Sequence, residues 1–212
     1  MTKALQITVL PTRPLLAYDL QITDNNATLA AYLQELDEFM AKTLAPCDGC
    51  HLCCHERAPL TSLDISALAA LLPQTPFPAT AVVTAFGQIA LLADGACDIF
   101  LRRPDNNCIF LDLRGFCREH RLRPLVCRSH FCLAKSKRAE ALRQAIINQG
   151  LDELIRLLLS EEKQGAQKIL PPAVCAGDYP PNALTNKKTP QEIKLQNLCD
   201  DQLWQELQQA VL

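Results

Sequence analysis

Apolar residues recur at three- and four-residue spacing over 28–44, where Leu29, Tyr32, Leu33, Leu36, Phe39 and Met40 share one face of a predicted helix, with Asn25 or Asn26 as its cap. Upstream, the stretch 5–22 alternates weakly and is broken by Pro11 and Pro14, which predicts an extended arm or an edge strand. Thr61 and Asp64 stand three apart ahead of Ile65, Leu68 and Leu71, the spacing of a helix N-cap with an acidic first turn. Aspartate replaces the longer glutamate of a full capping box. Pro73, Pro76 and Pro78 end that helix, and a second helical stretch is predicted over 80–92, before Gly95. Residues 97–102 and 107–111 read as short strands joined through Pro104, Asp105 and Asn106.

From 134 to 169 the pattern is helical again. Leu142, Ala145, Ile146, Leu151, Leu154, Ile155 and Leu158 form an apolar stripe, read as two helices interrupted near Gly150. The proline- and glycine-containing stretch 171–181 resembles a linker. Thr189 before Pro190 marks a helix start, and a C-terminal helix bearing Leu203, Trp204, Leu207 and Val211 either packs on the core or docks a partner. The expected fold is mainly α with short β-hairpin elements. A small, irregular metal-binding core built from cysteine-rich loops is expected to pack on the helices. Three consecutive segments follow: an N-terminal arm and helix at 1–45, a cysteine-cluster domain at 46–133, and a helical extension at 134–212.

The 212 residues are enough to bury a self-sufficient core, so a metal need not be the only thing holding the fold together. A net charge of −2 gives no global case for nucleic acid or for an anionic membrane surface. Charge is uneven, however: 101–144 holds 11 lysines and arginines against 4 acidic residues. Positive charge there favours thiolate over thiol and would offset a negatively charged centre, although the same residues also suit a plain solvated face. Few aromatics interleave with the basic residues, which argues against a base-stacking surface. The N-terminus lacks an apolar signal core, and no run of apolar residues is long enough to span a bilayer. The expected location is the cytoplasm, without membrane or nucleic-acid partners. Thiols stay reduced there, and an odd total of 11 cysteines agrees.

Those cysteines carry the chemistry. Cys47, Cys50, Cys53 and Cys54 fall within one short run, and Cys108, Cys117, Cys127 and Cys132 follow in a second segment. His51, His55, His120 and His130 lie in the same two regions. Clustered thiolates are soft ligands for zinc or iron, and two-residue gaps let successive sulfurs converge on one point. The gaps between Cys47, Cys50 and Cys53 match those of the first three ligands in a bacterial ferredoxin run, though the Cys-Pro continuation is absent. Cys53 and Cys54 are adjacent and are not expected to bind the same ion; one serves a second site or packs inward. Gly115 permits a hairpin-like turn that would bring Cys108 and Cys117 together. Arg123 and Arg128 are placed to donate to cluster sulfurs or to pair with Asp112. Cys97, Cys175 and Cys199 stand apart and read as buried small hydrophobes.

Taken in order, Cys47, Cys50, Cys53 and Cys54, then Cys108 with Phe110-Leu111-Asp112, Gly115, Cys117, Arg123-Pro124 and Cys127-Arg128 resemble the cysteine-cluster, or CxxCxxCC, family of zinc- or iron-chelating proteins. This chain departs from the family pattern at Ile109, where proline is usual, and at Glu119 and His120, where Ile-Tyr is usual. His120 then becomes an added ligand candidate. The resemblance implies a metal centre, commonly described as iron–sulfur. Part of the wider family is similar to flagellin lysine methylases, which implies an enzymatic alternative. No glycine-rich nucleotide loop or defensible acid–base pair in this sequence supports that alternative.

Three readings follow. One is an iron–sulfur protein whose centre draws on Cys47, Cys50, Cys53, Cys54, Cys108, Cys117 and Cys127 and works with a redox or other protein partner. A second is a structural zinc-binding interaction module, and the third is a methylase-like enzyme.

Overall fold

The weak alternation near the N-terminus closes into a hairpin. The computed structural model describes residues 3–10, 17–43, 52–73, 77–93, 95–129, 134–187 and 189–211, and only the backbone of Leu52 and Cys53. Strand β1 (Leu5–Leu10) pairs antiparallel with β2 (Ala17–Ile22), in register from Leu5↔Ile22 to Leu10↔Ala17. The two-residue strand β5 (Ala134–Lys135) adds to β2 in parallel, so β2 is the middle strand. Its central place explains the burial of Tyr18, Asp19, Leu20 and Ile22.

Helix α1 (Leu29–Thr43) buries Leu29, Tyr32, Leu33, Leu36 and Phe39, the stripe read from sequence. Its cap is Thr28 instead of an asparagine: Thr28 Oγ1 accepts from the Ala31 amide at 3.3 Å. Asn25 and Asn26 accept from Gln208 Nε2 at 2.6 Å and Lys194 Nζ at 2.9 Å instead. The chain near the C-terminus returns to this corner, where the Leu29 amide donates to the Ile193 carbonyl at 2.8 Å and the Leu195 amide to Ala27 at 3.0 Å. The predicted start at Thr189-Pro190 yields only a 3-10 turn, Pro190–Glu192. Helix α6 (Asp201–Gln208) begins later, where Asp200 Oδ1 accepts from the Leu203 amide at 2.7 Å. It packs against β2 with Trp204 and Leu207 buried, so its apolar face is covered within the chain.

Packing divides the chain into two compact units, one of Met1–Pro46, Arg128–Asn148 and Asn186–Leu212, the other of Cys47–Cys127 and Gln149–Thr185. These groupings cut across the consecutive segments 1–45, 46–133 and 134–212. Helix α5 (Lys137–Lys163) is a single 27-residue helix that supplies residues to both. The break expected at Gly150 is absent, because that glycine serves close packing. A Cβ on Gly150 would lie 2.7 Å from Thr61 Cβ, a separation real side chains do not adopt.

In the second unit, α2 (Ile65–Ala69), α3 (Ala79–Phe86) and the antiparallel ribbon β3 (Gly87–Leu91) with β4 (Cys97–Leu101) enclose a core that includes Leu60, Leu68, Val82, Ile99 and Phe110. The later residues of α5 complete it with Leu151, Leu154, Ile155 and Leu158. Two sequence expectations fail here. The helix over 80–92 stops at Phe86, because Gly87 takes an extended conformation and Arg102 bonds what the helix end leaves open. The Arg102 amide donates to the Phe86 carbonyl at 2.7 Å and its Nε to the Gly87 carbonyl at 3.2 Å. Residues 87–91 then become the partner of β4, a place the sequence reading gave to 107–111. The stretch 171–181 is no linker either. Leu170 and Val174 are buried in this core, and the Tyr179 hydroxyl accepts from the Cys97 amide at 3.3 Å. Among the described residues helices predominate, with a few short strands in two small sheets, as expected of the secondary structure.

Candidate metal centre

Cys108 and Cys117 are brought together by a turn whose tip needs glycine. Gly115 has φ +84°, a conformation that side chains with a Cβ rarely adopt. Around it the Asp112 amide donates to the Phe116 carbonyl at 2.8 Å, the Arg118 amide to Phe110 at 2.8 Å, and Leu111 and Cys117 form an antiparallel bridge. The Leu111 amide donates back to the Cys108 carbonyl at 2.9 Å, curling Cys108 toward the same place. Asp112 fixes the turn from inside. Its Oδ1 accepts from the Phe116 and Arg114 amides, both at 2.9 Å, and its Oδ2 faces the Arg114 guanidinium at 3.4 Å. The Phe116 amide, helped by Arg114, holds its carboxyl below the usual range.

The two thiols feel each other. Burial pushes the Cys117 thiol up, and the nearby Cys108 adds to this, while the Glu119 amide and the Arg123 charge oppose it. The donors on the far side of the turn therefore suit a thiolate that a cation would stabilise. Arg123 has a second contact, NH1 to His120 Nε2 at 3.1 Å. A guanidinium can only donate, so Nε2 accepts. Burial and then the Arg123 charge lower the pKa of His120, which favours the neutral ring. Neither expected partner of Asp112 reaches it. Arg123 is with His120, and Arg128 NH2 donates to Asp37 Oδ2 at 2.7 Å.

Cys127 is carried by α4 (Leu125–Arg128), a helix of one turn. Pro124 has no amide hydrogen, so the first donor of this turn is the Leu125 N–H, which donates to Asp64 Oδ1 at 2.7 Å. The other oxygen, Oδ2, accepts from the Thr61 amide and the Thr61 hydroxyl, both at 2.8 Å. The capping box read from Thr61 and Asp64 is therefore present. Its second tie, to a residue 61 positions away, is not written in the local spacing.

Residues 46–145 match the family model described as "Putative zinc- or iron-chelating domain". The chain carries a CxxCxxCC domain. A search of the curated proteins and one of the solved structures found no match. Within the CxxCxxCC domain, Cys54, Cys108, Cys117 and Cys127 are half-buried residues whose thiols are not joined in disulfides. Cys54 lies in the 3-10 turn Leu52–His55 together with Cys53. Cys47, Cys50, His51, His130 and Cys132 lie outside the described residues, as does the side chain of Cys53. Among the described residues no group of three or more histidine, cysteine or acidic side chains gathers to hold a metal. The described donor set is thus the pair Cys108 and Cys117, with Cys54 and Cys127 as further thiols. Soft thiols of this kind fit zinc or iron by their chemistry. Outside the motif, Cys97 is buried as expected, whereas Cys199 is only half-buried and Cys175 is exposed, because it stands at the start of a surface 3-10 turn, Ala176–Asp178. No helix among the described residues is long and apolar enough to cross a membrane.

Proposed function

We propose that the CxxCxxCC domain holds an iron–sulfur cluster through thiolates drawn from Cys47, Cys50, Cys53, Cys54, Cys108, Cys117 and Cys127. The protein then serves a redox or structural purpose in the cytoplasm, in contact with a protein partner. Metal binding itself follows from the domain match. The observation that carries the choice of ligands is the turn at Gly115, which sets Cys108 and Cys117 within electrostatic reach of each other. The ferredoxin-like gaps of Cys47, Cys50 and Cys53 favour iron–sulfur over a mononuclear site. A bound cluster supplies a one-electron couple or a rigid crosslink. The chain's own part is to present deprotonated sulfur. Burial keeps the Cys117 proton on in the metal-free protein, so loading releases protons and strengthens as pH rises. The Glu119 amide and Arg123 oppose burial at that sulfur, and both remain available to a thiolate.

The test is metal and acid-labile sulfide content, with an absorption spectrum, on protein purified without oxygen. Iron with matching sulfide and a broad band near ~400 nm is expected. Zinc without sulfide in a colourless protein would replace the cluster with a closed structural site, the alternative that the domain description equally covers. Cys50→Ser is expected to lower metal content sharply and Cys199→Ser to leave it unchanged. Full loading of Cys50→Ser would overturn the ligand assignment.

A further inference from the structure

A four-residue helix cannot hold its own place. A single turn contributes little hydrogen bonding of its own, so its position is set by whatever ties it to the rest of the fold. For α4 those ties include the burial of Leu125 and Val126, the hydrogen bond from the Leu125 amide to Asp64 and the ion pair of Arg128 with Asp37. Asp64 is itself 5% exposed, and a carboxylate at that depth needs donors on both oxygens. One oxygen belongs to its own capping box, where Thr61, fully buried, supplies an amide and a hydroxyl. An ordinary capping box would stop there. Here the other oxygen reaches the first amide of α4, two residues before Cys127. Behind Thr61 stands Gly150, whose missing side chain lets α5 press directly on the threonine methyl.

We propose that Asp64 is a positioning residue for the metal centre, holding α4, and with it the Cys127 thiol, in place. The inference rests on the reading above that Cys127 is a ligand. It gives a role to a buried carboxylate whose oxygens accept from two amides and a hydroxyl. It also distinguishes Asp64 from Thr61, whose hydroxyl serves the capping box alone. Asparagine at 64 offers one acceptor oxygen, so it can satisfy the Leu125 amide or the Thr61 amide but not both, and its own NH2 then faces a donor. Glutamate, the usual residue at this position of a capping box, restores the cap while carrying the carboxylate a methylene away from its present site.

The experiment uses the full chain, purified without oxygen, as wild type, Asp64→Asn, Asp64→Glu, Thr61→Val and Cys127→Ser. Three quantities are read: metal per chain, the rate at which each cysteine is alkylated by iodoacetamide, mapped by mass spectrometry, and the thermal transition by circular dichroism. In Asp64→Asn the Cys127 thiol is expected to label about tenfold faster, with weaker metal retention, as loss of an outer tie to a ligand typically produces. Labelling of Cys97, remote in sequence and buried, stays unchanged. Thr61→Val is expected to lower the transition while leaving Cys127 protected, and Asp64→Glu to recover the transition but not the protection. Folded Asp64→Asn or Asp64→Glu with wild-type labelling at Cys127 and full metal would overturn the positioning role. Should Asp64→Asn fail to fold, Asp64→Glu carries the comparison. If instead Cys127→Ser keeps all of its metal, the ligand reading itself has failed, and the role assigned to Asp64 goes with it.

Discussion

Asp19 and Asp64 are both buried aspartates, one in each unit, and they are held by different chemistry. Asp19 is gripped by Arg138: Nε lies 2.8 Å from Oδ1 and NH2 2.7 Å from Oδ2, while the Ser136 hydroxyl donates at 2.5 Å and the Leu20 amide at 2.8 Å. The remaining nitrogen of Arg138 donates to the carbonyls of Glu206 and Gln209, so a single guanidinium ties β2, the start of α5 and the end of α6. Asp64 gathers two backbone amides and a hydroxyl. A charge pair of the first kind locks regular elements that their own hydrogen bonds already define. The amide-gathering carboxylate of the second kind places a turn too short to define itself. The first therefore governs how stable its unit is, and the second governs where one thiol stands.

The largest effect expected is on the charge pair. Arg138→Ala leaves the Asp19 carboxylate buried without its cation and is expected to cost about 3–5 kcal/mol, measured by urea denaturation at neutral pH. The pH dependence gives the sign. Burial acts to raise the Asp19 pKa, but the hydrogen bonds from Arg138, Ser136 and Leu20 outweigh it, and the carboxyl ends below its ordinary value. Its contribution is present above the unfolded carboxylate pKa and is lost as pH falls through the lower folded value. Wild type and Arg138→Ala should therefore converge in acid. A constant gap down to the lowest pH at which both fold would mean that the pair does not carry the difference.

The same contrast shows what could be read from the sequence. The α1 stripe, the capping box at Thr61 and Asp64, and the turn at Gly115 were legible, because each is written within a few residues by periodicity, cap spacing or a glycine. The tie from Asp64 to Leu125 was not, since a backbone amide carries no residue-type signal and the two lie far apart in the chain. Nor was the strand at 87–91: Ile89, Ala90 and Leu91 suit either period, and only pairing with β4 decides. Charge alone points Asp112 to Arg123 or Arg128, whereas its own turn already supplies two amides and Arg114. Gly150 was seen, but as a break; its reason lies in a neighbour from a different element. For the candidate metal centre, the clustering of cysteines and the Cys108–Cys117 approach were legible, and the tie at Leu125, two residues before Cys127, was not.

Gly150 also gives the next prediction. In an exposed helix, glycine to alanine normally stabilises by about 1 kcal/mol. Here the new Cβ would meet Thr61 Cβ at 2.7 Å and Cγ2 at 2.9 Å, and Thr61 cannot turn away without releasing Asp64. Gly150→Ala is expected to destabilise by about 1–3 kcal/mol, the usual cost of overpacking. A stabilised Gly150→Ala in the same urea titration would show that α5 does not lean on the capping box.

The smallest effect compares two cysteines of the second unit. Cys97 is 3% exposed, whereas Cys175 is on the surface. Burial, with a smaller contribution from Asp98, pushes the Cys97 thiol up to about 11. At pH 8 Cys175 should therefore be alkylated readily and Cys97 barely at all. The same shift sets a stability slope. Above pH 9 an unfolded cysteine releases its proton while the folded one keeps it, so the native state binds more protons and stability falls as pH rises toward 11. The loss expected from this one group is on the order of 1 kcal/mol. Other groups titrate in the same window, so the measurement is the difference between wild type and Cys97→Val, which lacks the proton. If the two curves run parallel from pH 8 to 11, the buried thiol is not what the alkaline limb reports. If they draw together as pH rises, the thiol is stabilising its unit by staying neutral, the opposite of the thiolate role proposed for Cys108 and Cys117.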